Sequence, residues 1–480
     1  MRYQTKNVVE LFFKDNHMEN TFAFTPLAEI EALYKRQREL TIQRVIPSME
    51  ERKAALLRLR DSIVKHESAL QAALLKDLGK SHYEAYLTEI GVSLKELDFH
   101  LKGMKGWGKT RSVKTPWFLM PSTSRLMPEP YGQVLIMAPW NYPFQLLINP
   151  LIGAISAGNR AVLRPSPAVP NVAMVIQQVI AAAFTTDHVA VVQGDIQENQ
   201  YLLKQKWDYI FFTGGPRLGK IVAQAAAEHI TPVTLELGGK SPCIIDQDCN
   251  LDIAVRRAVW GKTVNAGQTC IAPDYVMVHR KFKDQFVAKV AEVCAKMYGE
   301  AKDSKDYGRI VNAAAFDRIA GYLSPGVKTL YAAGMEKDEK FMGLHVVEVE
   351  DDGHPLWKEE IFGPVLPVRY YDELSEVISW VNAHEKPLAL YYFGGDAGAE
   401  MLLKRTSSGG VAINDTIVHV ANHFLPFGGV GGSGYGAYRG KNTFDVFTHY
   451  KPILQSRSWF DLPLKYPPYG SIALLKRLLK

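Results

Sequence analysis

Gly132-Gln133-Val134-Leu135-Ile136-Met137-Ala138-Pro139-Trp140-Asn141 is where the chain changes character. Five apolar residues run together from Val134 to Ala138 and stop at a proline, the pattern of a short buried strand. Ala161-Val162-Leu163 repeats it and leads to a helix over 172–184. Strands over 188–192 and 209–212 and a helix over 216–228 follow. Strands alternating with helices at this spacing predict a parallel sheet covered on both faces. Such sheets bind ligands beyond the carboxyl ends of their strands. The residues just past each strand therefore carry most weight: Asn141, Arg164, Thr213, Gly214 and Glu236.

Upstream of this stretch, Ser48 and Glu51 have capping-box spacing and open a helix. Leu56, Leu59, Ile63, Leu70 and Leu74 mark its apolar face. A second helical stretch covers 84–104. Residues 117–131, with Pro121, Pro128 and Pro130 among them, read as extended or hairpin-like, either an arm for a partner subunit or a long surface loop. Downstream, the alternation resumes with a strand over 242–246, a helix over 251–264, a strand over 275–279 and a helix over 281–298. The apolar stretches 341–349, 363–367 and 388–393 complete a second α/β domain, with Cys270 near its beginning.

A chain of 480 residues suggests two or three domains, and 47% hydrophobic with 22% charged residues is ordinary globular composition. The net charge of +6 (56 basic minus 50 acidic) is slight, and no Lys/Arg block announces a nucleic-acid groove. Cys243, Cys249, Cys270 and Cys294 contain no C-x-x-C pair, which argues against structural zinc and a disulfide scaffold and for a reducing, cytoplasmic setting. No apolar run approaches the roughly 18 residues of a membrane span. Residues 1–13 lack a signal-peptide core. Met18 is an alternative start, so 1–20 reads as a dispensable extension. The tail 472–480 is basic and amphipathic, suited to weak peripheral membrane contact or to a terminal helix covering a pocket or a subunit.

Four stretches carry chemistry. In Asn265-Ala266-Gly267-Gln268-Thr269-Cys270-Ile271-Ala272-Pro273 a lone cysteine sits among small residues that would let a substrate approach; it is either a core hydrophobe or a nucleophile acting as thiolate. Phe212-Thr213-Gly214-Gly215-Pro216-Arg217-Leu218-Gly219-Lys220 runs from a strand through a glycine turn into a helix start, where backbone donors favour phosphate. Asn141 stands between Pro139 and Pro143, either stabilising a turn or donating into a cleft. Glu236, in Thr234-Leu235-Glu236-Leu237-Gly238-Gly239-Lys240, is a carboxylate in an apolar setting, structurally paired or poised as a base. Gly429-x-Gly431-x-x-Gly434 spells a dinucleotide fingerprint but lacks its strand before and helix after. It reads instead as a loop packed closely on another segment.

Pro139-Trp140-Asn141-Tyr142-Pro143, Glu236-Leu237-Gly238-Gly239-Lys240, Gly267-Gln268-Thr269-Cys270, Glu360-Ile361-Phe362-Gly363-Pro364 and Pro426-Phe427-Gly428-Gly429, in this order, resemble the aldehyde dehydrogenase superfamily. Ala272-Pro273-Asp274-Tyr275 and the tail over 425–451 resemble its class 3 branch. The resemblance implies an α/β fold of two doubly wound parallel-sheet domains, a Rossmann-like cofactor domain (1–115 and 133–236) and a catalytic domain (237–443). A small β oligomerisation arm (116–132 and 444–465) and a C-terminal tail (466–480) complete it, in a homodimer. It also implies oxidation of medium-chain aliphatic or aromatic aldehydes with NAD or NADP. Cys270 would be the nucleophile, Asn141 with the Cys270 N–H the oxyanion donors, and Glu236 the hydrolytic base. Trp140, Arg164, Ser166, Thr213, Gly214, Gly215, Gly219, Leu237, Gly238, Glu360 and Phe362 would bind the cofactor, and no metal is implied.

One departure concerns the cofactor. Where the family commonly has Lys-Pro-Ser-Glu, this chain has Arg164-Pro165-Ser166-Pro167. Pro167 removes an acid that would repel a 2′-phosphate, and Arg164 offers a phosphate-matching fork. NADP is thus expected to serve at least as well as NAD. Two other readings of Cys270 are a cysteine hydrolase using His419 or His423, and an acylating enzyme passing its thioester to coenzyme A; the presence of Glu236 argues against the latter.

Overall fold

The computed structural model describes residues 23–323 and 326–478. The proposed extension over 1–20 lies outside the described residues. The stretch around Val134 forms the strand Gln133–Met137, buried along its whole length. It is central in a six-stranded sheet ordered Gly434–Tyr435, Val233–Glu236, Tyr209–Thr213, Gln133–Met137, Arg160–Arg164, Val189–Val191. All neighbours pair in parallel except Gly434–Tyr435, which runs antiparallel to Val233–Glu236. Val134 and Ile136 enter a core shared with the helices Met49–Lys65, Glu67–Leu78, Gln145–Ala157 and Pro170–Ala183. Leu135 and Met137 face the opposite way, into a cluster with Trp207, Val222 and Ala226. Apolar partners on both faces are why the run is continuous rather than alternating.

From Gln133–Met137 the chain crosses first toward Arg160–Arg164 and Val189–Val191, then back to Tyr209–Thr213 on the other side. The order reverses between Gln133–Met137 and Tyr209–Thr213, so a crevice opens beyond their carboxyl ends. Asn141 follows one of these strands and Gly214 the other.

The second sheet has seven strands, ordered Val327–Ala332, His345–Val349, Val365–Tyr371, Tyr275–His279, Pro242–Ile245, Ala389–Phe393, Gly410–Ile413. It is parallel except for Val327–Ala332 at one edge. Strands Arg111–Val113, Thr123–Pro130 and Thr448–Gln455 make a separate three-stranded sheet, so the hairpin-like reading of 117–131 acquires a third strand from the far end of the chain.

Three local readings change. The apolar stripe from Leu56 to Leu74 spans two helices, broken at His66, whose ring bonds Ser62 O at 2.8 Å. The stretch 84–104 begins with a short helix His82–Ala85 and a π-helical turn Tyr86–Ile90 before the helix Gly91–Trp107. The stretch 341–349 divides into Phe341–Met342 and His345–Val349. The glycine-rich segment packs against the first sheet as expected. A Cβ on Gly434 would stand 2.0 Å from Leu235 O, and Ser433 O accepts Leu237 N–H at 3.1 Å. The tail ends in a helix Ile472–Leu478 with Ile472, Leu474 and Leu475 exposed. No helix among the described residues is long and apolar enough to cross a membrane.

Candidate active site

The helix Leu251–Thr263 ends in an irregular turn before Cys270. Asn265, Ala266 and Gly267 have φ of 53°, 52° and 73°. Three successive residues in the left-handed region are costly, and asparagine and glycine bear it better than alanine. Buried side chains hold the turn there. Glu84 accepts Asn265 N–H at 2.9 Å, and Asn265 Nδ2 donates to Asn141 O at 2.8 Å. The Gln268 amide donates to Asn265 O and Arg309 O and accepts Val311 N–H, all between 2.9 and 3.0 Å. Gly267 lies against Gly363, so the cysteine loop and the Glu360-to-Pro364 loop touch through backbone. Asp274 joins the same knot, pairing with Lys240 and accepting Ile361 N–H at 3.0 Å.

Asn141 is fixed from behind. Lys80 Nζ donates to its carbonyl at 2.8 Å and to Glu89 at 2.7 Å, an ion pair with both side chains fully buried. Glu89 in turn accepts Phe144 and Gln145 N–H. The Asn141 side-chain amide reaches across to Gln268 O at 3.0 Å, beside the cysteine. Sequence reading missed Lys80, Glu84 and Glu89. Charged side chains are ordinarily solvated, and nothing in the spacing of these three marks them as buried.

Two cavities meet at Cys270. One, of about 180 Å³, is walled by Tyr142, Leu146, Trp260, Ile271, Ile417 and Phe427, mostly apolar. The other, of about 260 Å³, brings Asn141 and Glu236 together with Trp140, Thr213, Gly214, Gly215, Leu237, Gly238, Glu360 and Phe362. Burial pushes the Cys270 thiol up to about 12, with the nearby Glu360 and Glu236 carboxyls adding to it. Glu236 is 2% exposed, and neither carboxylate oxygen has a partner. Burial raises its pKa far above the usual carboxylate range, and the Arg439 cation counters it only in part. A buried, unpaired carboxylate facing the same space as a thiol is a costly arrangement that structural pairing does not explain.

Several features of the larger cavity fit a dinucleotide. Thr213 Oγ1 and Glu360 Oε1 are buried without partners. The helix Pro216–Glu228 starts at Gly215 with no side-chain cap, leaving N–H donors free for phosphate. Trp140 and Phe362 meet edge to face at 5.4 Å on its wall. Burial, aided by Asp274, raises Glu360 to about 8.

The remaining expected residues lie elsewhere. Gly219 is inside that helix, with Leu237 packed on it. Arg164 ends its strand beside Met137 at the carboxyl edge. It does not line the cavity; its Nη2 donates to Gly194 O at 3.0 Å and its Nε is unpaired. Ser166 is buried and accepts Ala168 N–H at 3.4 Å. His423 is bound to Glu96 at 2.7 Å, and His419 packs on Tyr391 and Phe427 with both ring nitrogens unpartnered. Neither histidine bonds Cys270, so the geometry does not favour a cysteine hydrolase.

The aldehyde dehydrogenase family model matches residues 37–453. The chain is 44% identical over 433 residues to the 4,4'-diaponeurosporen-aldehyde dehydrogenase of Staphylococcus aureus, covering 89% of this chain and 94% of the relative. It is 42% identical over 426 residues to the dimeric NADP-preferring aldehyde dehydrogenase of Canis lupus familiaris, covering 87% and 93%. A substrate-bound structure of Staphylococcus aureus AldH superposes with a TM-score of 0.91 at 42% identity, covering 94% of this chain and 99% of that one.

Proposed function

The chain belongs to the aldehyde dehydrogenase family and is an NAD(P)-dependent oxidoreductase, and from that membership we propose that it oxidises medium-chain aliphatic or aromatic aldehydes to carboxylic acids through a covalent intermediate on Cys270. The observation that carries the reading is the meeting, at one thiol, of an apolar cavity and a second cavity that gathers Asn141, Thr213, Glu236 and Glu360. The first suits an alkyl or aryl tail, and the second suits the cofactor.

Cys270, once it has given up the proton that burial holds on it, attacks the aldehyde carbon as the thiolate and gives a thiohemiacetal. The Asn141 amide and the Cys270 N–H hold the oxygen as it gains charge. A donor of this kind is worth about 3–4 kcal/mol of barrier. A nicotinamide held beside Glu360 and Phe362 would supply the hydride acceptor, and Cys270 would then carry the acyl group as a thioester. Glu236 takes the proton from a water that attacks it, releasing the acid and restoring the thiol. Thr213, Gly214 and Gly215, with the helix start behind them, would hold the pyrophosphate, and Glu360 and Phe362 would orient the ribose and ring.

For cofactor choice, Pro167 in place of an acid and Arg164 with a free Nε at the carboxyl edge support NADP being used at least as well as NAD. The NADP preference of the canine relative is consistent with this. Four free cysteines support a cytoplasmic setting. The test is steady-state kcat/KM across alkyl and aryl aldehydes with each cofactor. Turnover of these aldehydes, with NADP no worse than NAD, is the expected outcome. A clear preference for NAD overturns the cofactor reading, and failure on the whole panel overturns the substrate class.

A further inference from the structure

One wall of the apolar cavity does not match the rest. Arg439 lines it beside Tyr142, Phe427 and Tyr438, yet it is 1% exposed. Its Nη2 donates to Gln145 Oε1 at 3.2 Å, while Nε and Nη1 have no partner. Two carboxylates feel its charge, Glu96 and Glu236; neither is hydrogen-bonded to it, and Glu96 is already taken by His423 at 2.7 Å, His100 at 3.3 Å and Gly440 N–H at 2.8 Å. The backbone at Arg439 is held at φ 85° by its N–H to Thr443 Oγ1 at 2.8 Å, so the side chain is aimed inward by a strained turn. A buried guanidinium with two open donors is costly unless something supplies acceptors.

We propose that Arg439 recognises an anionic oxygen group on the substrate, so that this cavity takes aldehydes carrying a carboxylate at the far end of a short apolar chain. The inference rests on the apolar cavity being the aldehyde site. The walls accommodate the methylenes, and the open Nε and Nη1 donate hydrogen bonds to the carboxylate oxygens. The aldehyde end points to Cys270, which lines the same cavity. Charge-assisted hydrogen bonds of this kind correspond to about 10- to 100-fold in specificity.

The experiment measures kcat/KM for pairs of aldehydes of equal chain length, one ending in methyl and one in carboxylate, on the intact protein and on R439M and R439K. The wild type is expected to favour the carboxylate member by at least about tenfold. R439M should erase that ratio, and R439K, which keeps charge but lacks the fork, should retain part of it. A wild-type ratio of one or below overturns the inference, and this arm decides it even if the variants do not fold. Equal losses on both members in R439M, with a shifted pH profile, also overturn it, because they assign Arg439 to balancing Glu236 instead. Absence of turnover with either member points to failure of the aldehyde-site reading, a separate outcome scored by the aldehyde panel.

Discussion

At the scale of single residues, the chemistry turns on groups left without partners. Glu236 is buried with both oxygens free, and burial holds its proton far above the range of an ordinary carboxyl. For a group with a raised pKa, the basic form grows as pH rises, so deacylation by Glu236 should accelerate from neutral toward alkaline pH. Glu236→Gln removes the base and leaves the volume unchanged. Rapid-mixing absorbance should then show a burst of one reduced cofactor per site, followed by turnover slowed by at least about 10²-fold and without the alkaline rise. A variant with the parent's steady-state rate would show that Glu236 is not the base. Asn141 and Glu236 were legible as candidates because they stand at or just past the carboxyl ends of predicted strands, and Cys270 because it sits among small residues in a turn-rich stretch; each also had an ordinary structural reading until the ordered motifs joined them. Arg439 was not legible: one basic residue in a glycine-rich segment looks solvated until the fold buries it.

At the scale of elements, the cysteine loop depends on a left-handed turn that no local propensity favours. Gly267 has φ 73°, and a Cβ there would stand 2.6 Å from the Gly363 carbonyl. Gly267→Ala must therefore push the cysteine loop off the Glu360-to-Pro364 loop. Strain of this kind costs about 1–3 kcal/mol. The expected result is a protein that still folds, melts a few degrees lower by calorimetry, and loses most of its activity, since both Cys270 and Glu360 shift. Unchanged kcat with an unchanged melting point would mean that the turn is not under strain. Regular elements were read from apolar runs, because strands buried on both faces leave an unmistakable pattern. Their edges were harder. The antiparallel edge strand Gly434–Tyr435 is two residues long and exists only because Val233–Glu236 offers it a free edge.

At the scale of the whole molecule, the three-stranded sheet is the part least explained by a single chain. It ties 111–130 to 448–455, with Glu129 accepting from Lys451 at 2.5 Å, Arg44 at 2.9 Å and His449 at 3.0 Å. Against the burial that raises it, these partners hold Glu129 down to about 2. The sheet is thus firmly built, yet among the described residues both its edge strands, Arg111–Val113 and Thr448–Gln455, lack an outer neighbour. Trp117, Phe118, Leu119, Met120 and Leu454 are exposed around it. Open strand edges beside large apolar side chains are the makings of an interface, and a two-fold contact between copies would cover both. The protein is accordingly expected to sediment as a homodimer, twice the chain mass of 53.7 kDa, at micromolar concentration. Replacing Leu454 with Asp and Trp117 with Ala together should shift it toward monomer while the far-ultraviolet spectrum stays that of the parent. Sedimentation of the parent as a monomer overturns the homodimer. A double variant that stays dimeric and folded moves the interface away from this sheet.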